Sequence, residues 1–187
     1  MRRLIAAAVL LGGCSSTPQP PDWQLNAVQS LQAFQQYYLV GDARAEPEFA
    51  RARSELARTG REDLVGRAEL VRCAVRAASL EFDDCPGFEP LRPGARQEEL
   101  AYAEYLSGRG KHAAAADPLS RLVAAGVQLK SGTATPAVME DAVGIASAQG
   151  WRRPLLAWLG ALEKRARDAG DGETAARVRR RMDLISG

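Results

Sequence analysis

The stretch EDLVGRAELVRCAVRAASL, residues 62–80, carries apolar side chains on two sides of a single helix. One side is formed by Leu64, Ala68, Val71 and Val75. The other side is formed by Leu70, Ala74, Ala77 and Leu80. A helix that is apolar on two sides usually lies between neighbours that cover both of them. We therefore predict a helix over residues 62–80 at the centre of the fold.

Further helical patterns precede and follow this central stretch. Asp22 is predicted to cap a first helix that ends at Gly41, and Pro47 stands in the first turn of a second helix that ends at Gly60. Later helices are predicted over 97–106, over 118–125, from Pro136 to Gly150, around Leu155, Leu159, Leu162 and Ala166, and around Ala175, Val178, Met182 and Ile185. Alanine and leucine supply most of the apolar residues and no strand alternation is visible. The sequence predicts an all-α fold of about seven or eight helices, arranged as helical hairpins.

Two segments between the helices have the composition of loops. Residues 83–94, DDCPGFEPLRPG, contain three prolines and two glycines, so we expect an irregular excursion there. Residues 126–134 are predicted as a second loop, in which Val127 and Leu129 could form a short extended piece.

The first sixteen residues, MRRLIAAAVLLGGCSS, follow the order of a secretory signal, with Arg2 and Arg3 before an apolar run and small residues after it. Eight apolar residues are too few to span a bilayer, which needs about 20. Residues 11–14, LGGC, resemble the lipobox of bacterial lipoproteins. That resemblance implies removal of residues 1–13 and lipidation of Cys14 by diacylglyceryl and acyl chains such as palmitate. Ser15 is not the aspartate that favours inner-membrane retention in this family, so the resemblance implies the periplasmic face of the outer membrane.

The expected mature chain has 174 of the 187 residues and nearly balanced side-chain charge. Arg2 and Arg3 leave with the signal, so 23 Lys and Arg residues face 23 Asp and Glu residues. A strongly basic protein that binds nucleic acid is not indicated. Residues 14–21, CSSTPQPP, consist of the lipidated cysteine and a short flexible tether. Residues 22–187 are then expected to form a single α-helical domain.

Three helix-to-helix turns contain glycines, Gly41, Gly108 and Gly170, that are separated by nearly twice the 34-residue period of tetratricopeptide repeats. Leu31, Tyr38, Gly41, Ala45, Phe49 and Ala52 resemble that family's pattern of large, aromatic, turn and small positions. The resemblance implies a short array of stacked hairpins. The alternative is an irregular helical bundle whose helices happen to end in glycine at these intervals.

Cys73 and Cys85 are the thiols that would remain after lipidation of Cys14. In an oxidising periplasm an isolated pair of cysteines is expected to form a disulfide. If the central helix ends near Leu80, the five residues that follow can double back far enough to join them. Two buried free thiols, or a redox or metal site, are the alternatives.

Residues typical of catalytic sites are few in this sequence. His112 is the single histidine, it precedes four alanines, and we interpret it as a surface residue. Glu81, Asp83 and Asp84 lack the spacing of a calcium loop, so we interpret them as a helix end. The sequence contains neither GxSxG nor HExxH. We therefore predict no catalytic residues, no metal and no cofactor.

Other candidate features are a basic run and adjacent aromatic residues. Arg177, Arg179, Arg180 and Arg181 form the basic run, which is typical of a solvated helix end but could also contact anionic lipids or an acidic partner. On the first helix, the pattern Leu25, Val28, Leu31, Phe34 and Tyr38 predicts an inward stripe. Tyr37 then points about 100° away from Tyr38. We predict that Tyr37 and Tyr105 contribute to a partner-binding groove.

These features support two hypotheses about function. The first is an outer-membrane lipoprotein that acts as a non-enzymatic adaptor for an envelope protein, in analogy to lipoproteins with tetratricopeptide-like domains. The second is a periplasmic cell-wall hydrolase or an activator of one.

Overall fold

The structure, a computed structural model, describes residues 20–187 and is all-helical over that range. It contains eight α-helices and one 3₁₀ helix in the described range. Their bounds are α1 Asp22–Val40, α2 Ala45–Ala57, α3 Glu62–Ala78, the 3₁₀ helix Glu89–Gly94, α4 Gln97–Leu106, α5 Pro118–Lys130, α6 Pro136–Ala148, α7 Arg152–Asp168 and α8 Gly172–Ser186. The predicted all-α fold class is confirmed.

Helix α3 lies between two hydrophobic clusters, as its two apolar sides predict. Val65, Ala68 and Val75 are buried in an N-terminal cluster, together with residues of α1 and α2 such as Phe34 and Phe49. Leu70 and Ala74 on the other side of α3 are buried in a larger cluster formed with α4 to α7. The centre of the fold is therefore the helix that the sequence indicates.

Helix α7 connects the two clusters through directional contacts. The indole Nε1 of Trp158, whose side chain is completely buried, donates to the carbonyl oxygen of Ala78 at 3.1 Å. Arg153 donates through Nε to the carbonyl oxygen of Tyr38 at 2.9 Å and through a guanidinium nitrogen to Glu81 at 3.0 Å. Helix α1 thus packs against α7 far along the chain. Because units of an open solenoid contact only their neighbours, this packing favours the irregular-bundle alternative.

The predicted loop over residues 126–134 is wrong in its first half. Helix α5 continues through Gly126 to Lys130, and Val127 is buried on it. A methyl group at Gly126 would overlap the carbonyl oxygen of Ala77 in α3. Gly126 therefore permits a close approach of the two helices and does not end the helix.

The predicted inward stripe of α1 is wrong at its N-terminal end. Leu25 is 41% exposed and Val28 is 48% exposed, whereas Phe34 and Tyr38 are buried. Three successive steps of three residues lag behind the helical turn, so Leu25 and Phe34 lie about 180° apart. The small residues Ala27 and Ser30 face the core in their place. Asp22 is the first helical residue, but its side chain does not cap the helix.

Candidate interaction surface

The predicted lipidation site, Cys14, lies outside the described residues, as do residues 1–13 and the tether up to residue 19. The description begins at Pro20, two residues before α1. No helix in the described range is long and apolar enough to cross a membrane.

Cys73 and Cys85 are joined in a disulfide, and their Cα atoms lie 5.7 Å apart. Helix α3 ends at Ala78, and the chain then reverses direction through Leu80 at φ 59° and Cys85 at φ 49°. Asp83 supports the reversal, because its carboxylate accepts a hydrogen bond from the Cys85 amide at 3.0 Å. Asp83 also lies near both sulfurs. Since the two sulfurs are bonded to each other, Cys73 and Cys85 form a covalent link between α3 and the irregular segment over residues 83–94.

Two of the three acidic residues after α3, Glu81 and Asp83, are paired with arginines. Glu81 accepts from Arg153 at 3.0 Å, and Asp83 forms an ion pair with Arg76 at 3.1 Å. Asp84 is exposed. Carboxylates that are held by arginines in this way favour a structural role over acid/base catalysis.

His112 is exposed, and its ring packs against two tyrosine rings. The ring centroids of Tyr102 and Tyr105 lie 5.0 Å and 5.2 Å from that of His112. Burial raises the pKa of Tyr102 to about 12. The arrangement places aromatic faces around the imidazole and is not the histidine-to-nucleophile geometry of a catalytic triad.

Tyr37 and Tyr105 are not brought together in one accessible groove. Tyr37 is half-buried on the N-terminal cluster, and the guanidinium carbon of Arg44 lies 4.1 Å from its ring centroid. Tyr105 is buried in the larger cluster. The predicted groove formed by Tyr37 and Tyr105 is therefore wrong, because Tyr105 is buried in the larger cluster while Tyr37 packs beside Arg44 in the turn after α1.

The basic run lies on α8, where its arginines are exposed. Arg179 forms ion pairs with Glu163 at 3.7 Å and Asp183 at 3.6 Å. Arg181 donates to the Ser147 hydroxyl at 3.2 Å. These contacts to α6 and α7 agree with a solvated helix surface that also secures the last helix.

Helix α1 presents an outer face that is nearly free of charge. Asp22 is its one ionisable carboxylate, and the helix has no lysine, arginine or histidine among its 19 residues. By contrast, 26% of the whole chain is charged. Leu25 and Val28 are exposed on this face, and we name the surface that they form the α1 outer face. Charged residues are depleted at the centres of protein interfaces, so the α1 outer face has the composition of a binding surface.

Towards its C-terminal end the same side of α1 borders a groove of about 560 Å³. The groove is lined by Gln32, Gln35, Gln36, Leu39, Leu119, Gln149 and Trp151. We name it the glutamine groove. Sequence reasoning missed this site, although five glutamines in a helix with a single charge were a visible signal. Trp151 lies half-buried at the rim of the groove.

No protein family, no curated protein and no solved structure matches this chain significantly.

Proposed function

We propose that the protein is an outer-membrane-anchored periplasmic lipoprotein that acts as a non-enzymatic adaptor for an envelope protein. The observation that carries the adaptor role is the uncharged α1 outer face, with Leu25 and Val28 exposed. Leu25 and Val28 are neighbours on one side of α1, and contiguous apolar patches on a surface mark sites where proteins meet. The anchor is supported by the signal and the LGGC motif.

The position of the surface in the chain fits this function. Leu25 lies eleven residues after Cys14, so a lipidated Cys14 would hold the α1 outer face close to the membrane. Two or more acyl chains bind a bilayer stably, whereas one chain binds it only marginally. An adaptor of this design would present its partner at the inner surface of the outer membrane.

The alternative, a cell-wall hydrolase or its activator, has less support. Glu81 and Asp83 near the disulfide are paired with arginines, and His112 packs on tyrosines. Purified protein should therefore release no fragments from cell-wall or ester substrates. Turnover that survives further purification would favour the hydrolase.

The anchor has a direct test in living cells. Palmitate that carries a radiolabel should enter the wild-type protein, and the labelled protein should appear in the outer-membrane fraction. The Cys14→Ser variant should lose the label and accumulate as an uncleaved or soluble species. The Cys73→Ser/Cys85→Ser variant is the control, because it removes the other two cysteines without leaving a free thiol and should keep the label. Label in the Cys14→Ser variant would contradict the lipoprotein assignment.

A further inference from the structure

The glutamine groove offers unengaged hydrogen-bonding groups that point away from the core. Gln32, Gln36 and Gln149 are exposed, and Gln35 is half-buried. Within the described range, none of the four side-chain amides hydrogen-bonds another protein group. Each amide can donate two hydrogen bonds and accept others, so a ligand would find both functions at every position.

The walls of the groove belong to elements that are fixed to one another. Gln32, Gln35 and Gln36 share slightly more than one turn of α1. On the opposite wall, Gly150 at φ 66° turns the chain between α6 and α7 and so places Gln149 beside Trp151.

The two walls meet where the hydrophobic clusters meet. Leu119 and Trp151 pack against both clusters. The hydrogen bond from Arg153 to the carbonyl oxygen of Tyr38 holds α7 against α1, and these two residues are close in sequence to the lining residues Trp151 and Leu39. Ligand sites occur preferentially between the helices of bundles, and a preformed site loses little conformational freedom on binding.

The lining contains no ionisable side chain, and this favours an uncharged ligand. A charged ligand would lose hydration without gaining an ion pair in the groove. A neutral ligand that is dense in hydroxyl groups fits better, because hydroxyls donate and accept as amides do. Trp151 adds an electron-rich ring face, which attracts the C–H groups of a sugar ring. We infer that the glutamine groove binds an uncharged saccharide chain, such as an oligomer of N-acetylated hexoses.

An extended peptide is a less suitable ligand. Each peptide residue offers one donor and one acceptor, and recognition also needs pockets for alternate side chains. The groove has one aromatic ring and two leucines, of which Leu39 is only 2% exposed. Three amides within about one helical turn match the several hydroxyls of one sugar ring more closely.

This inference goes beyond the proposed adaptor function and does not require the lipid anchor. An adaptor with this groove would hold a protein on the α1 outer face and a glycan beside it. Glycan binding is measured on purified protein, so its failure would leave the anchor and the protein partner untouched.

Titration calorimetry of the full mature protein with the hexamer of N-acetylglucosamine tests the inference. We expect saturable binding that is weakened about tenfold to thirtyfold in the Gln32→Ala/Gln36→Ala double variant, the loss expected for two neutral hydrogen bonds. The matched control is Gln24→Ala/Gln29→Ala, which removes the same residue types from exposed positions of α1 outside the groove. The control should bind like the wild type. Both variants should melt like the wild type, because alanine favours helix at exposed positions.

Three outcomes would overturn the inference. They are no saturable binding of the hexamer, equal weakening in both double variants, and binding of an uncharged alanine-serine hexapeptide in place of the sugar. Gln149→Ala, at the end of α6 on the opposite wall, gives an independent test should the first double variant not fold. The Gln149→Ala variant should also bind the hexamer more weakly than the wild type does.

Discussion

Gly126 of α5 lies so close to Ala77 of α3 that a methyl group on Gly126 would overlap the Ala77 carbonyl oxygen. Both residues are buried at the crossing of two central helices. Backbone atoms cannot move aside as a flexible side chain does. The crossing distance of α3 and α5 therefore depends on glycine at this position.

Gly126→Ala should destabilise the protein by about 1–3 kcal/mol, the usual cost of overpacking a core. The matched control is Gly144→Ala. Gly144 is an exposed residue in the middle of α6, where a methyl group would contact nothing within 4 Å. That substitution should stabilise the protein by about 0.5–1 kcal/mol, because alanine favours helix over glycine. Urea denaturation measures both. Equal effects of the two substitutions would contradict the close approach.

Gly126 illustrates which parts of the fold can be predicted from the sequence and which cannot. The bounds of α4 and the two apolar sides of α3 could be predicted, because both depend only on the spacing of residues within one helix. The end of α5 was predicted too early, because glycine is common where helices end and Gly126 was interpreted in that way. Its actual role depends on Ala77, 49 positions earlier, and no local pattern contains that contact.

The candidate sites divide in the same way. The disulfide was predictable because the two thiols lie twelve residues apart across a helix end. The burial of Tyr105 and the assembly of the glutamine groove were not predictable. Both depend on how α1, α4 and the turn between α6 and α7 pack, and residues such as Gln36 and Trp151 are distant in sequence.

The disulfide between Cys73 and Cys85 should be present in protein isolated from cells without a reductant. Non-reducing mass spectrometry should find the two peptides joined. Replacing both cysteines with serine should lower the free energy of unfolding by roughly 3 kcal/mol, as expected for a closed loop of this size. Complete alkylation of both thiols without a reductant would contradict the disulfide.

Tyr105→Ala should destabilise the protein by about 3–4 kcal/mol, the usual cost of removing a buried aromatic ring. Tyr37→Ala should cost only about 1 kcal/mol, because the ring is half-buried and loses mainly its contact with Arg44. Thermal and urea denaturation measure the difference. Similar costs at the two positions would contradict the assignment of Tyr105 to the core and Tyr37 to the periphery.

The carboxyl group of Asp42 should titrate below its usual range. Side-chain hydrogen bonds from Arg44 hold the pKa of Asp42 at about 2, against a usual value of 3.8. Because the pKa is lowered by folding, the stabilisation is complete above the unfolded value and is lost as the pH falls through about 2. Arg44→Ala should move the pKa of Asp42 towards 3.8 in a carbon-detected NMR titration. An Asp42 titration midpoint that stays near 2 in the variant would show that Arg44 is not the cause.

The central claim is that the α1 outer face holds an envelope protein at the membrane, and photo-crosslinking in living cells tests it most directly. A benzophenone side chain at Val28 should give one crosslinked product of discrete mass, and the product should disappear in the Cys14→Ser background. The same side chain at Arg51, an exposed position on α2, should give no such product. Crosslinking that is absent at Val28, or equally strong at Val28 and Arg51, would contradict the claim.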